Sequence, residues 1–230
     1  LRFCLLKNRL DILPNEGVIL KSMNCRRHWE IHQNMADFVP FQKKKNKLVW
    51  RGATTGDANK TANRFLLVQK WFHEETLADI GFNKLVQDPK KYGTFFQNHS
   101  IKNFVRNTLS RKQLREYKYI LSVRGNDKDS GLNWKLASNS VVFMARPTVN
   151  TWLMESELIP NYHYVQLRDD FSDLAQKIVW ANQNPEKMVQ ISSNANKFMK
   201  MFENQKNEER IEHEVIRRYF QILHRLKVTE

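Results

Sequence analysis

The chain has 230 residues, 41% of them hydrophobic, with 14 Phe and 6 Trp, which is enough for one large core or two small ones and argues against a disordered chain. Lysine and arginine total 38 against 24 acidic residues, giving a net charge of +14 and a pI near 9.8, so the expected partners are anionic: nucleic acid, lipid headgroups or phosphorylated saccharides. No apolar run reaches the roughly 20 residues that cross a bilayer, and Cys4 and Cys25 form neither a disulfide framework nor a metal spacing, so a reducing compartment is expected.

The first residue is Leu rather than Met, so an upstream segment removed or left out is expected. Residues 1–45 are mixed, with apolar pieces at 3–6 and 17–20. Residues 47–52 read as a short strand ending on Gly52, and the hydroxyl-rich turn Ala53-Thr54-Thr55-Gly56-Asp57 follows. A helix then carries Phe65, Leu66, Val68, Trp71 and Phe72 at near-helical spacing. A basic irregular stretch at 89–103 leads to a helix over 110–117.

From 117 to 173 the pattern is strand, polar turn, helix, strand, helix, strand. The apolar run 119–123 feeds the turn Gly125-Asn126-Asp127-Lys128-Asp129-Ser130-Gly131 and a short helix, the place where an α/β fold directs free N–H groups at an anion. The second helix of this block covers 150–158. Asp170 or Ser172 caps a helix over 173–182, Asn184-Pro185 starts another running to about 202, and a last helix over 208–226 lines up Ile211, Val215, Ile216, Tyr219, Phe220 and Leu223. This alternation predicts an α/β fold with a parallel sheet covered on both faces.

Four segments carry a resemblance when taken in order. They are Val49-Trp50-Arg51-Gly52-Ala53-Thr54-Thr55, Tyr119-Ile120-Leu121-Ser122-Val123-Arg124-Gly125-Asn126-Asp127, Ala137-Ser138-Asn139-Ser140-Val141-Val142, and Asn161-Tyr162-His163-Tyr164-Val165 with Asp170-Phe171-Ser172-Asp173-Leu174. Together they resemble glycosyltransferase family 90 over about 48–202, most like the bacterial lipopolysaccharide core enzymes and more distantly the protein O-glucosyl and O-xylosyltransferases and the fungal capsule-associated members. The resemblance implies a GT-B fold: a Rossmann-like donor lobe at 47–205, a short or truncated acceptor-side lobe at 1–46, and a bracing helix at 206–230. It also implies transfer of a hexose from UDP-glucose or UDP-galactose to an anionic glycolipid such as lipopolysaccharide, with inversion, by a peripheral protein at the inner face of the cytoplasmic membrane.

Such a transfer needs fixed positive charge and amide donors on the leaving diphosphate. The expected donor-side residues are Arg51, Gly52, Thr54, Thr55, Arg124, Gly125, Asn126, Asp127, Ser130, Gly131, Asn133 and Lys135. Eukaryotic relatives carry an arginine in the helix after the glycine turn, where this chain has Gly131-Leu132-Asn133; phosphate neutralisation therefore falls on Arg51, Arg124, Lys128 or Lys135, with Arg51 favoured. The competing reading of Arg51 is an ion-paired residue beside a packed Trp50, and that of Thr54 and Thr55 is turn chemistry and capping. Glu155 and Glu157 offer carboxylates to ribose or sugar hydroxyls.

For the base, the resemblance points to Asp11 in Asn8-Arg9-Leu10-Asp11-Ile12-Leu13-Pro14, which has one residue more before the proline than the family pattern; Asp37 and Asp57 are reserves. Arg26, Arg27 and Trp29 form a basic, aromatic patch suited to an anionic acceptor. Asp127-Lys128-Asp129 is an Asp-x-Asp, but the intervening lysine and nearby Arg124 argue against a hard cation, and no cofactor or metal is expected. The histidines show no zinc spacing. Two other readings stay open: a protein O-glycosyltransferase, disfavoured by a C-terminus that is no ER-retention signal, and a nucleic-acid-binding protein, disfavoured because the basic residues form no stripe.

Overall fold

Leu48, Val49 and Trp50 are buried in succession, a continuous run rather than an alternating one, and this is how a strand covered on both faces reads. They lie in β1 (Lys45–Ala53) of a computed structural model in which residues 37–86 and 100–227 are described. Asp11, Arg26, Arg27, Trp29 and most of the expected acceptor-side lobe lie outside the described residues, as does most of the basic stretch after Pro89. With β2 (Ala78–Lys84), β3 (Tyr117–Leu121), β4 (Val141–Ala145) and β5 (Val165–Leu167), β1 forms a sheet ordered β2-β1-β3-β4-β5, and every pairing is parallel.

Among the described residues the α-helices are α1 (Arg64–Trp71), α2 (Arg111–Leu114), α3 (Leu132–Leu136), α4 (Leu174–Gln183), α5 (Pro185–Lys200) and α6 (Gln205–Lys227). One sheet face presents Trp50, Phe82, Tyr119, Leu121 and Phe143, and packs with Phe65, Leu67 and Val68 of α1 and Leu174 and Ile178 of α4. On the other, Val142 and Met144 pack with Leu132 and Leu136 of α3 and Ala195, Phe198 and Met199 of α5. Each large side chain fully removed from water contributes about 1.5–3 kcal/mol, so these two layers supply most of the drive to fold.

The strand β2 has no counterpart among the sequence expectations, because Asp79 and Gly81 interrupt its apolar pattern. The structure explains both. Ala78, Ile80 and Phe82 face one core while Asp79 pairs with Arg51 at 2.8 Å on the other face, and a Cβ on Gly81 would lie 2.6 Å from Cγ of Arg106.

Two expected helices differ in extent and a third in its cap. A capping box between Ser110 and Gln113 starts α2, but the chain turns into β3 by Tyr117, so the helix is shorter than 110–117. The expected helix over 150–158 is a single 3-10 turn at Glu155–Glu157: Met154 takes a left-handed φ of 54°, and the Asn150 side chain accepts the Ser156 N–H. Asp173, not Asp170 or Ser172, is the N-cap residue of α4; its carboxylate accepts the Arg168 N–H, while that of Asp170 accepts the Ser172 N–H.

Candidate functional site

A sheet ordered 2-1-3-4-5 reverses direction between β1 and β3, and open α/β sheets hold their ligands at the carboxyl ends of the strands on either side of such a point. Pairing of these two strands stops at Val49 with Ile120, beyond which they splay apart. Carbonyls freed by the splay need donors.

Arg64 supplies most of them. Asn63 caps α1 by accepting the Leu66 N–H, which puts Arg64 at the first helical position, directed at the strand ends. Its Nη1 donates to Ala53 O at 2.9 Å and Thr55 Oγ1 at 2.6 Å, its Nε to Arg124 O at 3.2 Å and its Nη2 to Val123 O at 3.3 Å. Lys135 caps the next carbonyl, Leu121 O, at 3.0 Å and is ion-paired to Asp129, which also accepts from Ser122 Oγ and the Gly131 N–H. Burial works against the Asp129 charge, but Lys135, Arg64 and the Gly131 N–H outweigh it and hold the carboxyl below its ordinary pKa. Burial likewise pulls the Arg64 guanidinium below its usual value, against the attraction of Asp129 and Asp127.

Above this charged floor the two turns cross with backbone against backbone. Gly56, at φ +102°, has room for no Cβ: it would lie 2.8 Å from the Gly125 carbonyl oxygen, and one on Gly125 would lie 2.7 Å from Thr55 Oγ1. The Asn126 side chain completes the crossing by accepting the Gly56 N–H.

A crevice opens over the ends of β3, β4 and β5, the place where open α/β sheets hold their ligands. Residues 122–124 and 127–129 form one wall, 144–149 and Glu155 another, with Thr61, Ala62, Asp169 and Phe171 closing the end. Of the described non-glycine residues at positive φ, Ala62 and Phe171 line this crevice and Met154 immediately precedes Glu155. Such backbone strain gathers at ligand sites. The Ala62 N–H donates to Asp169 O at 2.8 Å and so ties the loop before α1 to the loop after β5.

Glu155 is 2% exposed, yet it is one of the residues that line the crevice. Oε2 accepts from the Thr151 N–H at 2.6 Å, and Oε1 from Thr151 Oγ1 at 2.8 Å and Lys128 Nζ at 3.1 Å. Arg124 and the exposed Arg146 line the same space, and Arg124 Nη1 donates to Thr148 Oγ1 at 3.2 Å.

Of the residues expected at the donor, Arg124, Asp127, Lys128 and Glu155 therefore come together, while Thr55, Gly125 and Asn126 build the loop crossing beside them. Arg51 does not join them. It donates to Asn107 O, Trp50 O, Asp79 O and Asp79 Oδ1, and its side chain is 6% exposed, so the ion-paired reading describes it. Lys135 is consumed by Leu121 O and Asp129, and Asn133 is buried with it. Gly52 is small because a Cβ would lie 2.5 Å from the Trp50 ring, and Thr54 Oγ1 is fastened to both N–H and O of Val86. Ser130 and Gly131 line a separate cleft, which they share with Arg51, Gly52, Lys135 and Trp134.

Asp37, a reserve base, is buried against Lys44 and accepts the Asn139 N–H; Asp57 is exposed and accepts the Asn59 N–H. Glu157 sits exposed on its turn. His163, expected to be packed or hydrogen-bonded, is buried, accepts the Ile159 N–H at Nδ1, and has its pKa lowered by that burial. Arg64 and Arg146 escaped the sequence reading. The signal for Arg146 was present, since it directly follows the apolar run of β4; Arg64 looks like any surface residue of a helix.

The model of the family described as glycosyl transferase family 90 matches residues 11–229. O-glucosyltransferase LpsA of Dichelobacter nodosus is 34% identical over 217 residues, covering 94% of this chain and 62% of its own length. Protein O-glucosyltransferase 2 of Danio rerio is 28% identical over 152 residues, 66% of this chain and 28% of its own length. Among solved structures, that of TarM superimposes with a TM-score of 0.55 at 17% identity, over 90% of this chain and 41% of TarM, a likeness of fold. This chain thus spans less than two thirds of the length of either curated relative, and within that span it belongs to glycosyl transferase family 90.

Proposed function

We propose that this chain carries the donor-binding part of a glycosyltransferase that moves a hexose from UDP-glucose or UDP-galactose to lipopolysaccharide or a related glycan, with inversion. The observation that carries the reading is the crevice at the carboxyl ends of β3, β4 and β5, with Arg124 and Arg146 on its walls and a buried carboxylate, Glu155, set among them. The donor's diphosphate meets the two guanidiniums, which neutralise the charge that grows on it as the glycosidic bond breaks. A carboxylate repels phosphate and accepts from hydroxyls, so Glu155 belongs to the sugar-ring part of the nucleotide. The names of LpsA and the zebrafish relative favour glucose as the transferred sugar.

No metal takes part in this reading. Asp129 of the Asp-x-Asp gives its oxygens to Lys135, Ser122 and Gly131, so it has little left to offer a cation. The base is proposed to be Asp11, and the acceptor patch Arg26, Arg27 and Trp29. The excess of basic residues favours attachment to an anionic membrane surface, and no helix among the described residues is long and apolar enough to cross one.

Calorimetric titration of the chain with UDP, with and without EDTA, and with a single-stranded oligonucleotide tests the reading. Saturable UDP binding that is unchanged by EDTA is expected, with UDP-glucose competing. Oligonucleotide binding with no response to UDP would replace the transferase reading by a nucleic-acid one.

A further inference from the structure

A lysine in a polar turn at a strand end is ordinarily taken for a phosphate ligand, and Lys128 occupies such a position. Its ammonium faces elsewhere. Nζ lies 2.7 Å from Thr151 Oγ1 and 3.1 Å from Glu155 Oε1, and stands 5.3 Å from the centre of the Trp152 ring. The Lys128 side chain is 13% exposed and that of Glu155 2%, so this pair is shielded from water on both sides. The contact joins the turn after β3 to the loop after β4, the two walls of the crevice.

We infer that Lys128 is a positioning residue, which fixes the Glu155 carboxylate as an acceptor for ribose hydroxyls and takes no part in binding the phosphates. This rests on the donor-site reading above. Oε1 of Glu155 already accepts two bonds, from Lys128 and Thr151 Oγ1, and Oε2 accepts one, from the Thr151 N–H. Each carboxylate oxygen has two acceptor sites, so among the described residues a place remains on Oε2. The filled sites fix the orientation of the group, and the remaining one is what a hydroxyl would find. Without Lys128 the buried carboxylate would lose its ion-pair partner, an arrangement that proteins relieve by turning the group toward water. Its aim would then be lost even though Glu155 itself is unchanged. The phosphates are left to Arg124 and Arg146.

The test compares ligands that differ by one group. The full chain, as wild type, Lys128→Met, Lys128→Arg and Thr151→Val, is titrated with UDP, its 2′-deoxy and 3′-deoxy analogues, and UMP. The wild type is expected to prefer UDP over at least one deoxy analogue by about tenfold or more, the worth of one hydrogen bond to a charged group. In Lys128→Met that preference shrinks to within about threefold of unity while the ratio of UDP to UMP affinity is unchanged; Lys128→Arg keeps most of it. Thr151→Val, which keeps both charges but removes a hydroxyl that orients them, shrinks it as well and serves if Lys128→Met does not fold. Two results would overturn the inference: a deoxy preference that survives both Lys128→Met and Thr151→Val, or a UDP to UMP ratio that collapses in Lys128→Met, which would make the lysine a phosphate ligand. A wild type that binds UDP without distinguishing the deoxy analogues also overturns it and leaves the donor site standing. A wild type that does not bind UDP removes the donor-site reading itself.

Discussion

Asp129→Ala is expected to destabilise the folded chain by about 3–5 kcal/mol, the cost of removing one member of a buried ion pair and leaving the other uncompensated. The stranded partner is Lys135, 6% exposed, and Arg64 loses the attraction of the Asp129 charge. Ser122 Oγ and the Gly131 N–H lose their acceptor at the same time. Most of the loss is therefore a penalty on what remains, and Asp129→Ala/Lys135→Met is expected to be more stable than Asp129→Ala alone. Urea denaturation of the three chains at neutral pH measures both differences.

The same carboxyl sets an acid limit. Its folded pKa lies below the ordinary aspartate value of 3.8, so the stability it contributes is complete above that value and is lost as pH falls through the lower, folded one. Wild-type stability should fall below about pH 4 more steeply than that of Asp129→Asn, which has no proton to take up there. Parallel acid profiles for the two would contradict this account of the charged floor.

The second large effect is on binding. Arg124→Ala/Arg146→Ala is expected to weaken UDP binding by about 100-fold or more, since each guanidinium makes a charge-assisted bond to the diphosphate worth roughly 1.5–3 kcal/mol. Arg146 is exposed, and its replacement alone should change stability by no more than about 0.5 kcal/mol. Arg51→Ala supplies the contrast. It breaks the pair with Asp79 and the bonds to three carbonyls, so it should lower the unfolding midpoint while leaving the UDP affinity of the folded chain as it was. Calorimetry at fixed salt, beside a melt of each variant, separates the two effects. If Arg51→Ala abolished binding and the double variant did not, the phosphate site would lie at β1.

These contrasts show where the sequence was informative. The apolar runs of β1, β3 and β4 are buried on both faces and read as strands without help, and the two-glycine turn after β3 does border the crevice. The turn's helix, α3, is only Leu132–Leu136, and the Asp129 carboxylate inside the turn is spent on holding it together. Residue type alone could not assign the cations. Arg51, Arg64, Lys128, Lys135 and Arg146 are equal as letters, and only burial and partners separate a guanidinium tied to carbonyls from one facing open space. The strand β2 and the short turn at Glu155–Glu157 were hidden for a related reason: Asp79, Gly81, Asn150 and Thr151 sit there for contacts made with distant or non-helical partners, and periodicity does not register those.

The most direct test of the central claim is hydrogen exchange of the whole chain with and without saturating UDP. Slower exchange is expected in 122–132 and 144–155, the two walls of the crevice, with no change in 47–51 and 105–107 around Arg51. Protection confined to the segments around Arg51, or UDP binding that protects neither wall, would contradict it.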